Sequence, residues 1–266
     1  MNRIDTKFAE LRRVGKKAFI VYLTAGYPSL AVTEELVCSL EAAGVDIVEL
    51  GVPFSDPMAD GPTIQASSQQ ALAQGVTLTK ILASVQKIRR HTQVPMVLMT
   101  YYNPVFHFGE ERFVREACQT GVDGLIVPDL PPQEASVLIR SARKEDLATI
   151  FFLAPTTTPQ RMPQIIEAAS GFIYYVSVTG VTGARQHLPA EMLTNIKKAK
   201  RVTSKPICVG FGISTPQQVA QVASIADGVI VGSAVIKEIE KAQGQADLVK
   251  RVSCFVKELT SVLSVR

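Results

Sequence analysis

Ala43-Gly44-Val45-Asp46-Ile47-Val48-Glu49-Leu50 contains a helix end, a glycine and a short apolar strand in immediate succession. Thr120-Gly121-Val122-Asp123 leads in the same way into Gly124-Leu125-Ile126-Val127, and Ala226-Asp227-Gly228 into Val229-Ile230-Val231. Each passage ends a helix near a small residue or glycine and drops into a buried strand, so the repeating unit is one βα module. Outward from these anchors, short β-branched runs bounded by Gly, Pro or Asp predict strands over 19–24, 47–50, 96–101, 125–127, 149–153, 172–177, 207–209 and 229–231. Segments with 3.6-residue apolar spacing predict helices between them, over 32–42, 81–90, 112–118, 134–144, 160–168, 191–200 and 217–223. Strict alternation of strand and helix implies parallel pairing. Eight modules in ~250 residues, with no Pro/Gly/Ser-rich linker, fit one closed (β/α)8 barrel domain (a TIM barrel over residues 1–266) better than an open sheet. An additional helix over 4–14 precedes the first strand. A helical segment over 63–73 lengthens the connection after the second strand, and long connections in compact domains are often functional.

Composition narrows the function. Of 266 residues 47% are hydrophobic and 20% charged, which excludes a disordered chain. No apolar run reaches the ~18 to 20 residues of a membrane helix, and the charged, amphipathic opening does not read as a signal peptide, so a cytoplasmic protein is expected. The net charge of +4 and the dispersed basic pairs Arg12/Arg13, Lys16/Lys17 and Arg89/Arg90 read as solvated helix faces rather than a nucleic-acid surface. Cys38, Cys118, Cys208 and Cys254 lack close spacing, and His91, His107 and His187 fall in three different segments. Neither disulfides nor a metal site is expected.

In a parallel barrel the catalytic groups stand at the carboxyl ends of the strands. The second strand continues as Gly51-Val52-Pro53-Phe54-Ser55-Asp56-Pro57-Met58-Ala59-Asp60-Gly61-Pro62. Alternation places Ile47 and Glu49 on one face and Val48 and Leu50 on the other. A carboxylate there is either salt-bridged at the strand end or buried and suited to proton transfer, since burial raises its pKa. Asp56 and Asp60 follow in a loop stiffened by Pro53, Pro57 and Pro62, which holds a charged group in place at low entropic cost. At the other end of the chain, Gly180-Val181-Thr182-Gly183, Gly210-Phe211-Gly212-Ile213-Ser214 and Gly232-Ser233-Ala234 follow the last three strands. Glycines admit backbone N–H groups to an anion and a helix N-terminus adds its dipole, so these loops read as a phosphate site. The chain has no GxSxG, GxxxxGK[ST], complete GxGxxG or CxxC motif, and no Lys within a strand. What remains is metal-free acid–base chemistry on a small phosphorylated molecule.

These residues resemble a known family. Glu49-Leu50-Gly51 followed by Phe54 to Pro62 is similar to the signature of the tryptophan synthase alpha chain. The likeness continues through Thr24-Ala25-Gly26-Tyr27-Pro28, Met99-Thr100-Tyr101-Tyr102-Asn103-Pro104, Val127-Pro128-Asp129-Leu130-Pro131, Ala154-Pro155-Thr156, Gly180 to Ala184 and Val209 to Ile213, essentially the whole chain. The resemblance implies cleavage of indole-3-glycerol phosphate to indole and glyceraldehyde 3-phosphate, a retro-aldol step in tryptophan biosynthesis. It implies Glu49 as the general acid–base, Asp60 as acceptor of the indole N–H, and Tyr174 as a third active-site residue. Tyr22, Met99, Tyr101, Thr182, Gly183, Phe211, Gly212, Gly232 and Ser233 would contact substrate, the glycines and Ser233 at its phosphate. Tyr22 stands where other members carry Phe, and Val178 where some carry Arg.

The resemblance also implies a partner, a beta chain carrying pyridoxal phosphate in an alpha2beta2 heterotetramer. Asp56, Asn103 and Pro104 would face it, and Thr182 with its glycine neighbours would form a mobile lid. This chain itself is expected to carry no cofactor. Three roles share the signature: an alpha subunit, a free-standing lyase that releases indole, and a poorly active subunit that activates the beta chain. Indole release with and without a beta chain distinguishes them.

Overall fold

The computed structural model describes residues 2–176, 190–210 and 212–263. Eight parallel strands, β1 (Ala18–Thr24), β2 (Ile47–Gly51), β3 (Met96–Met99), β4 (Gly124–Ile126), β5 (Ala148–Leu153), β6 (Ile173–Val176), β7 (Ile207–Gly210) and β8 (Gly228–Val231), pair in chain order. The barrel closes where β8 returns to β1, with Val231 opposite Val21. Helix α1 (Arg3–Arg13) precedes the barrel, and α2 (Leu30–Ala42) follows β1. Two helices, α3 (Pro62–Ala73) and α4 (Leu78–Ile88), follow β2; α5 (Tyr102–Phe108) and α6 (Glu110–Thr120) follow β3. Then come α7 (Ser136–Lys144), α8 (Arg161–Ala168), α9 (Ala190–Val202), α10 (Pro216–Ala223), α11 (Ser233–Ala242) and α12 (Leu248–Thr260). The barrel, the leading helix and the inserted helix after the second strand are all as the sequence predicts.

Strand alternation sorts the apolar residues into two cores. Outward-facing Phe19, Val21, Leu23, Val48, Leu50, Leu98, Val209 and Val229 pack under the helices. Inward-facing Ala18, Ile20, Ile47, Val97, Ile126, Ile150, Cys208 and Ile230 fill the barrel. Ile4, Phe8 and Leu11 of α1 join this inner core, with the Phe8 ring 5.9 Å from Phe172, so α1 plugs the barrel. Burying such side chains stabilises by ~1.5–3 kcal/mol each. Asn2 fixes the start of the plug: its side chain accepts from Ile4 N–H and donates to the carbonyls of Asp123 (2.7 Å) and Asp146 (2.6 Å).

The repeated Asp before alternate strands has a physical role. Asp46, Asp123 and Asp227 accept a backbone N–H at the start of the preceding strand, from Phe19 (2.9 Å), Met96 (2.8 Å) and Ile207 (3.0 Å). In each case the backbone N–H of the Asp returns a bond to the carbonyl of that same residue. Ser170 does the same for Thr149 of β5. The four clamps pair β1 with β2, β3 with β4, β5 with β6 and β7 with β8 at their amino ends.

Two expectations need correction. Arg89 is no solvated residue: its guanidinium, 10% exposed, bonds Asp123 (2.6 Å) and the carbonyls of Gly121 and Val94. The third strand ends at Met99 rather than 101. Thr100 still bonds the Ile126 carbonyl, but the Asp129 carboxylate then takes the Tyr102 N–H (2.9 Å) and the chain winds into α5. Pro104 is tolerated because it sits in the first helical turn, where its missing N–H has no helical partner.

Candidate active site

Glu49 stands on the inner face of β2, beside Tyr22 in the β1 register. It is 1% exposed, and its Oε2 has no hydrogen-bond partner among the described residues. Loss of water raises the carboxyl from its ordinary 4.5 to about 8, and the nearby Asp60 adds to the rise. At neutral pH the group is therefore protonated. A buried carboxyl with an unanswered oxygen is destabilising unless a ligand meets it, which marks Glu49 as a candidate for function.

Asp60 closes the loop after β2. Its N–H bonds the Pro57 carbonyl (3.1 Å), its carbonyl accepts from the Gln65 side chain (2.8 Å), and Gly61-Pro62 starts α3 directly behind it. The Tyr101 hydroxyl donates to Asp60 Oδ2 (3.1 Å) and accepts the Ala59 N–H (2.9 Å), while its ring stacks on Phe54 at 5.0 Å. Burial raises the Asp60 carboxyl and the bond from Tyr101 opposes that rise. Glu49 and Asp60 are close enough to sense each other, and their environments differ, one carboxyl neutral and the other supplied with a donor.

Glycines make room for two tyrosines at the carboxyl end of the barrel. A Cβ on Gly51 would lie 2.0 Å from the Tyr22 hydroxyl, and one on Gly210 would lie 2.6 Å from that of Tyr174. Burial raises both phenols, so each stays neutral. Tyr174 packs on Phe152 (5.0 Å), and half-buried Met99 packs against the same inner core. Across the barrel, paired β7 and β8 bring Gly212 and the Gly232-Ser233 start of α11 to the same end. Gly212 has φ +55° and faces open space, and no described side chain caps α11. That leaves a helix N-terminus suited to an anion. Asp56 and Asn103 are exposed and Pro104 half-buried. Thr182, Gly183, Phe211 and Val178 lie outside the described residues. No group of three or more His, Cys, Asp or Glu among the described residues converges as metal ligands do.

A closed (β/α)8 barrel that seats a neutral carboxyl, one of its oxygens without a partner among the described residues, beside a second carboxyl at its strand ends defines a barrel enzyme of the acid–base class. The family model described as tryptophan synthase alpha chain matches residues 8–264. The tryptophan synthase alpha chain of Geotalea daltonii is 51% identical over 259 residues, covering 97% of this chain and 98% of the relative. That of Geobacter sulfurreducens is 51% identical over 263 residues, covering 99% of each. The crystal structure of tryptophan synthase subunit alpha from Legionella pneumophila superposes with a TM-score of 0.92 at 38% identity, covering 99% of this chain and 98% of that one. A structure of Mycobacterium tuberculosis tryptophan synthase gives 0.91 at 36%, covering 100% and 99%. The chain belongs to the tryptophan synthase alpha chain family.

Sequence reading missed the stacking of Phe54 on Tyr101, Asp129 as the cap of α5, and the buried hydroxyls of Thr24 and Ser67. Asp129 had a signal, an Asp between two prolines just past a strand. Exposed Met58 (88%) and Phe106 (68%), flanking Asp56 and Asn103, carried none.

Proposed function

We propose that this chain cleaves indole-3-glycerol phosphate to indole and glyceraldehyde 3-phosphate, the lyase step of its family in tryptophan biosynthesis, with Glu49 moving the protons. The observation that carries the assignment is the neutral Glu49 carboxyl on the inner face of β2, with Oε2 unpartnered among the described residues. Glu49 gives its proton to C3 of the indole ring. The carboxylate so formed removes the proton of the glycerol 3'-hydroxyl as the C3–C3' bond breaks, which returns Glu49 to its starting form and rearomatises indole. Asp60 accepts the indole N–H, and its charge offsets the positive charge that grows on the ring. Interactions that strengthen only in the transition state raise the rate rather than tighten binding. Tyr174, Tyr22, Met99 and Tyr101 line the ring pocket. Gly212, Gly232 and Ser233, with Thr182, Gly183 and Phe211, hold the phosphate.

This scheme needs no cofactor on the chain itself; pyridoxal phosphate belongs to the beta chain of an alpha2beta2 assembly. Asp56, Asn103 and Pro104 face that partner, and the exposed apolar pair Met58 and Phe106 beside them supports the reading. No described helix is long and apolar enough to cross a membrane.

The test is indole release from indole-3-glycerol phosphate, with the chain alone and with a beta chain. We expect slow release alone and roughly a hundredfold gain with the partner, equivalent to ~3 kcal/mol of differential affinity for the active conformation. Full, beta-independent release would make the chain a free-standing lyase. Absence of indole under both conditions would reject the assignment.

A further inference from the structure

Tyr101, which meets Asp60, is itself held by a carboxylate outside the acid pair. Its hydroxyl accepts the Ala59 N–H (2.9 Å), a group that can only donate, so the phenolic proton goes to Asp60 Oδ2 at 3.1 Å. Bonds to the Pro57 carbonyl and from the Gln65 side chain fix the Asp60 backbone, but its carboxylate takes a hydrogen bond from Tyr101 alone among the described residues. Where Asp60 points therefore depends on where Tyr101 stands. Tyr101 is buried, and its ring stacks on Phe54. Its main chain is bracketed from the β4 side: Thr100 N–H bonds the Ile126 carbonyl (2.9 Å), and Tyr102 N–H meets both oxygens of Asp129 (2.9 and 3.2 Å). Tyr101 occupies the cap position of α5, yet its side chain makes no capping bond and is turned to Asp60 instead. Asp129 supplies the cap from another loop. That loop is stiff: Asp129 lies between Pro128 and Pro131, Leu130 N–H closes a turn on the Val127 carbonyl (3.2 Å), and the Leu130 side chain is buried.

We propose that Asp129 is a positioning residue for the cleavage: by capping α5 it fixes the backbone of Tyr101, and through the Tyr101 hydroxyl it sets the direction of the Asp60 carboxylate. The proposal rests on the cleavage reaction assigned above. A helix of seven residues has little stability of its own, so its first turn depends on the cap. Without Asp129, Tyr102 N–H loses its acceptor and the turn frays. Tyr101 moves with it, because its carbonyl shares a peptide plane with that N–H. A displacement of about half an ångström takes the 3.1 Å contact with Asp60 out of hydrogen-bond range. Asp60 then meets the indole N–H from a less defined position. That loss falls on the transition state, where charge grows on the ring, more than on substrate binding, which is spread over the ring pocket and the phosphate loops. Asp129, exposed in the loop after β4, needs no contact with substrate for this role.

The experiment is kcat and KM for indole release, at saturating beta chain, by wild type, Asp129→Ala, Asp129→Asn, Tyr101→Phe and the Asp129→Ala/Tyr101→Phe double variant. Asp129 is exposed, so its removal leaves the core packing intact, and circular dichroism checks that each variant is folded. Asp129→Ala should lower kcat ~3- to 10-fold with KM nearly unchanged. Asp129→Asn keeps an acceptor for the Tyr102 N–H and should recover most of the wild-type kcat, which separates the cap from the charge. Tyr101→Phe keeps the ring on Phe54 but loses the hydroxyl, and should lower kcat by at least as much as Asp129→Ala. In that background Asp129→Ala should add little, because the bond through which it acts is already gone. An undiminished effect of Asp129→Ala when the Tyr101 hydroxyl is absent, a raised KM with kcat intact, or an Asp129→Asn as slow as Asp129→Ala overturns the proposal while leaving the lyase assignment intact. A wild type that cleaves nothing removes both.

Discussion

Replacing Glu49 by Gln should stabilise the protein, and by an amount that grows with pH. The carboxyl is raised from 4.5 to about 8 in the folded barrel. A group raised in this way favours the fold while it stays protonated, and that contribution disappears as pH rises through the folded value. Above about 8 the native state must hold a bare carboxylate, 1% exposed, with Asp60 nearby. At ~1.4 kcal/mol per tenfold change in proton affinity, the full shift corresponds to about 5 kcal/mol. Gln fills the same space and never ionises, so its other costs do not depend on pH. The stability difference between Glu49→Gln and wild type should therefore increase by ~4 kcal/mol from about pH 5 to about pH 9. Urea unfolding followed by circular dichroism at several pH values measures it, since both proteins share every other titrating group. A difference that stays within ~1 kcal/mol across the range would mean that Glu49 is not desolvated, and the reasoning would fail.

Three further outcomes follow from the same geometry. Asp60→Asn should lower kcat far more than it raises KM, since Asn still accepts a hydrogen bond but cannot offset charge; steady-state kinetics showing a raised KM with kcat intact would make Asp60 a ground-state binding residue. Gly212→Val should raise KM sharply and abolish competition by millimolar glycerol phosphate, because φ +55° strains any other residue and the new side chain would enter the open space before the phosphate loops. Asp123→Ala should destabilise the fold by ~3–5 kcal/mol in chemical unfolding, as it strands the Arg89 guanidinium and leaves Met96 N–H without its acceptor.

The barrel was legible because its signals are local. The Gly-Val-Asp passages end one helix and begin the next strand within a few residues, and the structure explains the Asp by the clamp it makes. Glu49 was legible for the same reason: alternation within one strand puts it with Ile47 on the face opposite Val48 and Leu50, and barrel closure makes that the inner face. The third strand was overextended because Thr100 and Tyr101 have strand propensity, while the acceptor that turns the chain, Asp129, is supplied from beyond β4. Arg89 looked like half of a solvated pair because its partner, Asp123, lies 34 residues away. Tyr22, Thr24 and Ser67 could not be assembled in advance, since 43 residues separate the last two and only barrel closure brings α3 against the end of β1.

Cleavage turns on Glu49 as the proton donor and acceptor, and the rate of Glu49→Gln is the sharpest measure of that role. Single-turnover release of indole from saturating indole-3-glycerol phosphate, with the beta chain present, isolates the chemical step from product release. The variant keeps the volume of the side chain and loses only the proton, so the account predicts a fall of at least ~100- to 10,000-fold with substrate binding unchanged within a few-fold. Retention of more than about a tenth of the wild-type rate would contradict it, because a general acid–base group contributes ~100-fold or more.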